Sequence, residues 1–207
     1  MREAGPIPRK KLPNVMEMEI EIRRRVVDRP DPRLGDMSIG QLVSSTALHG
    51  SPVYLVGSHV WTWAVFGQGL PVREKTDYDL LFSSDDSVES FLTKAIDGLN
   101  RRLPKHVRYT RAMNSFGNGR VLHPSGESII DAWSLCPNES IAEALMDFPE
   151  EYQRAALPLT EGAGLIRIVA KGPQRKNKYP GRRQEQGQPR FNAAELSILD
   201  EIMGEPY

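Results

Sequence analysis

Residues 77–82 read DYDLLF, two acids flanking a tyrosine and then three apolar residues. Strand alternation puts Asp77 and Asp79 on one face and turns Tyr78 and Leu80 to the other. A chain carrying such a strand needs a sheet with one buried face and one face open to polar chemistry. Two carboxylates on one face repel each other and cost stability unless a cation or positive group sits between them. A hard divalent ion such as magnesium meets that need, because it takes carboxylate oxygens and keeps waters for a substrate phosphate.

The preceding segment supplies a complementary half. VYLVG (53–57) is a short apolar run with β-branched and aromatic residues, and it reads as a buried strand. Gly57 lets the backbone approach a ligand, and Ser58 opens an apolar helix running to Phe66. The free N–H groups of a helix start favour a phosphate, and the Ser58 hydroxyl adds a donor. Within that helix Trp61 and Trp63 read as core. His59, beside the phosphate site, reads as a surface or capping residue. A third acid, Asp131, interrupts the apolar strand ESIIDAW, where Ile129 is expected on its face and Ile130 and Ala132 on the other. An aspartate among such residues needs a partner. If this strand lies beside DYDLLF, three carboxylates converge, a set that suits two metal ions about 3.5–4 Å apart for in-line displacement at phosphorus.

The rest of the chain frames these elements. At 207 residues it suits one domain with appended arms. Lys plus Arg and Asp plus Glu both number 27, so net charge selects no partner. The single cysteine, Cys136, excludes an internal disulfide and a thiolate zinc cluster, and with the absence of a signal-like N-terminus it makes a cytoplasmic location the expectation. No apolar run approaches the roughly 20 residues of a membrane helix. Residues 1–37 read as an N-terminal arm and an edge element, with 16–36 open between strand and short helix. Residues 38–170 form the expected catalytic domain. Its helices are predicted from Ser38 to Gly50, Ser84 to Asn100 and Asn138 to Met146. Further strands are predicted at 106–113, 120–122, 128–133 and 165–170. Residues 171–190 read as a basic loop, and 191–207 as a closing amphipathic helix. Between 167 and 190 there are eight Lys or Arg against one Glu. The expected fold class is α/β (α+β), a small mixed sheet with helices mainly on one face and the aspartates on the other.

Gly57-Ser58 after a strand, then Asp77-Tyr78-Asp79, then Asp131, resembles the polymerase-β-like nucleotidyltransferase superfamily. KTDYDLLF is similar to the corresponding segment of the tRNA nucleotidyltransferase and poly(A) polymerase head domain, and Asp147-Phe148 to a later motif of that group. The 18 residues between Ser58 and Asp77 are more than compact members use, so 67–75 reads as an insertion. The resemblance implies magnesium-dependent transfer of a nucleoside monophosphate from an NTP to an acceptor hydroxyl. It implies that Asp77 and Asp79 hold both metals, and that Asp131 helps hold one and orients or deprotonates the acceptor. Gly57, Ser58, Lys75, Arg154 and Lys171 are the expected nucleotide-binding residues, with Lys75 equally readable as a solvated loop lysine. RNA or tRNA is one acceptor; another RNA, a protein hydroxyl or a small molecule stays open. The basic loop, with Tyr179 in it, either neutralises acceptor phosphates or is simply solvated. The alternative is a non-catalytic nucleic-acid-binding protein of the same fold. A nuclease with the same acids is disfavoured, since Asp131-Ala132-Trp133 lacks a lysine two residues after the acid.

Overall fold

The computed structural model describes residues 14–60, 77–101, 103–113, 119–147, 155–160, 164 and 166–167. Helices begin where side chains can satisfy the first free N–H groups. Helix α1 (Val15–Ile22) starts at Asn14, whose carboxamide accepts from Met16 N–H while Glu17 accepts from the Asn14 N–H. Helix α2 (Ile39–Thr46) has the same reciprocal cap between Ser38 and Gln41. Helix α3 (Asp85–Asn100) is capped by the Ser84 hydroxyl, and Asp85 and Asp86 in its first turn favour the positive end of the helix dipole. A shorter α4 spans Ile141–Asp147. Among the described residues no helix is long and apolar enough to cross a membrane.

Seven strands form one mixed sheet: β1 (Val53–Val56), β2 (Tyr78–Phe82), β3 (Thr110–Met113), β4 (Gly119–Leu122), β5 (Ser128–Ser134), β6 (Ala155–Pro158) and β7 (Ile166–Arg167). Their order is β3-β4-β5-β2-β1-β6-β7. Strands β2 and β5 run parallel, with Asp79 directly beside Asp131, while the other pairs are antiparallel. One face carries the main core. There Met18 and Ile22 of α1, Leu42 and Val43 of α2, and Phe91, Leu92 and Ala95 of α3 pack with Tyr78, Leu80 and Phe82 of β2. The other face has a smaller cluster of Val56, Leu81, Trp133 and Ala156 under Ala144 and Leu145 of α4. Helices therefore crowd one face, and the aspartates use the other.

Four details differ from the reading of the sequence. Segment 16–36 takes the helical alternative, and its Met18, Ile22, Val26 and Val27 are buried in the main core, so it is neither an arm nor an edge strand. Helix α2 stops at Thr46 rather than at Gly50, because Gly50, at φ +76°, serves a separate turn closed by Ser51 N–H on the Leu48 carbonyl. The strand expected at 106–113 is paired only from Thr110. Ile129 joins Ile130 and Ala132 in the main core instead of sharing the Asp131 face. The β4–β5 ladder shifts register there, Val121 opposing Ile130 and Leu122 opposing Ser128, so Ile129 is skipped. Strand β6, unforeseen, extends the sheet beyond β1.

Candidate active site

The site is built where β1 ends and where β2 and β5 run side by side. Asp77 precedes β2, Asp79 is its second residue, and Asp131 is the Asp79 neighbour on β5. Each offers a carboxylate oxygen, and the three oxygens lie within 4.8 Å of one another. Asp79 and Asp131 are only 1% and 2% exposed, while Asp77 is half-buried at the edge. Burial matters here because low-dielectric surroundings strengthen both the repulsion among the acids and their attraction for a cation.

Gly57 is required at its position for two reasons. Its φ of +73° is a conformation that side-chain-bearing residues rarely adopt. A Cβ there would also collide with Asp79 Oδ2 and lie 2.9 Å from Asp79 Cγ. The turn that opens the helix at 58–60 is thus laid directly against the buried carboxylate. Ser58 is buried beside it, and the Val60 N–H closes the turn on the Gly57 carbonyl at 3.1 Å. His59 is 7% exposed and stacks on the Tyr78 ring with centroids 4.8 Å apart, so the surface role read for it gives way to a packing one.

Tyr78 points into the main core, as the strand alternation predicts, and its hydroxyl donates to Asp31 Oδ2 at 2.9 Å. Asp31 also accepts the Arg33 backbone N–H at 2.8 Å and the Arg33 guanidinium at 2.8 Å. Burial works against the charge of Asp31, but these donors outweigh it and hold the carboxyl below the usual aspartate range. Burial, followed by the Asp31 charge, pushes the Tyr78 phenol well above its ordinary value. The tyrosine between the two site aspartates is in this way tied to a turn 47 residues earlier.

Arg120 was not read from the sequence as part of the site. It stands opposite Asp131 on β4, donating from Nε to Oδ1 at 2.8 Å and from Nη2 to Oδ2 at 3.0 Å. The available signal was the hairpin: two apolar runs around HPSGE, a turn signature that brings 120–122 back against 128–131. The Gly126 N–H to the His123 carbonyl and the His123 N–H to the Glu127 carbonyl, both 2.8 Å, close that turn. An open cleft of about 610 Å³ adjoins Asp77, lined by Ser125, Gly126, Glu127 and Ser128.

The structure thus brings together Asp77, Asp79, Asp131, Gly57 and Ser58. Lys75, Arg154 and Lys171 lie outside the described residues, as do Trp61, Trp63, the basic loop 171–190 and the helix expected in 191–207. The donor set fits a divalent cation: three converging carboxylates, two of them nearly buried, with a glycine leaving room beside one of them.

No family model and no curated protein matches the chain. Among solved structures it is similar to the Thermotoga maritima CCA-adding enzyme complexed with tRNA, at 20% identity and a TM-score of 0.44, over 75% of this chain and 32% of that one. A complex of CCA-adding enzyme with ATP gives the same identity, coverage and TM-score. A tRNA nucleotidyltransferase complexed with a primer tRNA and an incoming ATP analog is 16% identical over 63% of this chain and 34% of that one, with a TM-score of 0.40. The matched region spans about a third of the length of these proteins.

Proposed function

We propose that this chain is a magnesium-dependent nucleotidyltransferase that moves a nucleoside monophosphate from an NTP to an acceptor hydroxyl. The observation that carries this reading is the convergence of Asp77, Asp79 and Asp131 within 4.8 Å, beside the Gly57 turn. Asp77 and Asp79 would hold the metal ions, and Asp131 would share in holding one. Magnesium bound there would neutralise charge on the transferring phosphoryl group and on the attacking and leaving oxygens.

The residues of the chain would do the rest by positioning. The glycine turn and the Ser58 hydroxyl present donors to the triphosphate next to the buried acids. Asp131 would orient the acceptor hydroxyl and receive its proton at the carboxylate. The cleft beside Asp77 would admit the substrates. Lys75, Arg154 and Lys171 would add positive charge to the nucleotide pocket. Since α1 packs into the core, the proposed catalytic unit of 38–170 takes in residues 15–37 as well. RNA, including tRNA, is the acceptor class proposed, from the likeness of KTDYDLLF to head domains that act on RNA.

The test is incubation of the chain with each labelled NTP, magnesium, and total RNA or protein as acceptor. Label should enter one acceptor class with the wild type and be lost in Asp77→Ala and Asp79→Ala, whose circular dichroism stays native. Full retained transfer in both variants overturns the assignment. RNA binding without any magnesium-dependent NTP binding would favour the non-catalytic alternative.

A further inference from the structure

We infer that Arg120 sets how strongly the carboxylate cluster takes a divalent cation, by competing with that cation for Asp131. The inference rests on the metal-site part of the reading above. Across the sheet, one row places Arg120 on β4 beside Asp131 on β5, and Asp131 beside Asp79 on β2. The row alternates a cation with two acids, and Asp77 adds a third carboxylate within reach.

Arg120 grips Asp131 with both prongs of its guanidinium, one on each oxygen, at 2.8 and 3.0 Å. A cation shared among Asp131, Asp79 and Asp77 has to use the lone pairs left on Asp131 or turn the guanidinium aside. Charge acts in the same direction. Asp131 is nearly buried, so the pair is weakly screened, and the arginine charge offsets part of the negative potential that attracts a cation. The arginine is also the partner able to move. A quarter of its side chain (24%) is exposed against 2% for Asp131, which gives it a path outward that the aspartate lacks.

This role differs from simple support of Asp131. A residue that only holds a ligand in place weakens cation binding when it is removed. A competitor strengthens it. The full chain, without nucleotide, is titrated with Mn²⁺ while free ion is counted by electron paramagnetic resonance, and its unfolding midpoint is followed with and without Mn²⁺. Arg120→Gln should bind Mn²⁺ roughly tenfold more tightly than the wild type, and Mn²⁺ should raise its unfolding midpoint by more. Arg120→Lys keeps the charge but loses the two-pronged hold, and should fall between them. If Arg120→Gln does not fold, the lysine variant carries the test alone. Equal or weaker Mn²⁺ binding in the folded variants overturns the inference. Asp79→Asn separates the two levels. If the wild type binds Mn²⁺, Asp79→Asn does not, and Arg120→Gln matches the wild type, the metal site stands and the role of Arg120 falls. If neither the wild type nor Arg120→Gln binds Mn²⁺, both fall together.

Discussion

Asp31 and Asp79 are both buried aspartates, and Tyr78 touches the surroundings of each: its hydroxyl reaches Asp31, and Asp79 is its chain neighbour. Their settings are opposite. Asp31 sits among donors, with the Arg33 guanidinium, the Arg33 N–H and the Tyr78 hydroxyl all aimed at it. Asp79 is brought within 4.8 Å of two more carboxylates and pressed against a glycine turn. The first arrangement lowers the energy of the folded chain. The second raises it unless something positive arrives. A buried acid with donors around it is a structural joint, whereas buried acids gathered together are a receptor for a cation.

That contrast can be broken by exchanging each acid for its neutral amide. Asp79→Asn should cut nucleotide transfer by about a thousandfold or more, since several kcal/mol of charge stabilisation go with it. The same change should leave the unfolding free energy equal or raise it by up to about 1 kcal/mol, through relief of repulsion. Asp31→Asn should instead lower stability by roughly 2–4 kcal/mol in denaturant titration, because the Arg33 charge is stranded. Its effect should depend on pH. The folded-state carboxyl lies below its unfolded value, so its contribution is complete above about pH 3.9 and fades as the pH falls through the lower folded value. Wild-type and Asp31→Asn stabilities should therefore converge on acidification, and a constant gap would contradict the ion-pair explanation. Were Asp79→Asn to destabilise as much as Asp31→Asn, the contrast itself would fail.

Smaller changes sharpen it. Gly57→Ala should cost roughly 2 kcal/mol, from the left-handed backbone and from the collision with the Asp79 carboxylate. Because the collision moves Asp79, transfer should fall as well, and a stable, fully active Gly57→Ala would mean that the turn and the acid are not coupled. Tyr78→Phe keeps the ring under His59 and removes one hydrogen bond to Asp31, so about 1 kcal/mol of stability should go. Transfer should stay near wild type, since the hydroxyl lies on the core side of the sheet.

The acids themselves were legible because strand alternation is local. Asp77 and Asp79 share a face whatever the rest of the chain does, and a glycine before Ser58 marks a tight approach without reference to any partner. Asp131 was legible as a charge in an apolar strand. Its neighbour Arg120 was not, because a one-residue change in hairpin register moves every side chain to the other face. The shift between Val121 and Leu122 shows how near that alternative lies, and it is what sent Ile129 into the core against expectation. His59 and Tyr78 were likewise read one at a time, whereas their roles come from each other and from Asp31.

Taken alone, the amino-acid order determined which residues could serve a phosphate and a metal, since residue type and spacing along one strand or turn are properties of the local chain. The tertiary structure decided the rest. It chose β5 as the parallel neighbour of β2, placed Asp131 level with Asp79, and set Arg120 across from Asp131. It also folded α1 into the core and gave Tyr78 an anchor far back in the sequence. Each of those outcomes depends on which distant segments bury their apolar surface together, and no local pattern encodes that choice.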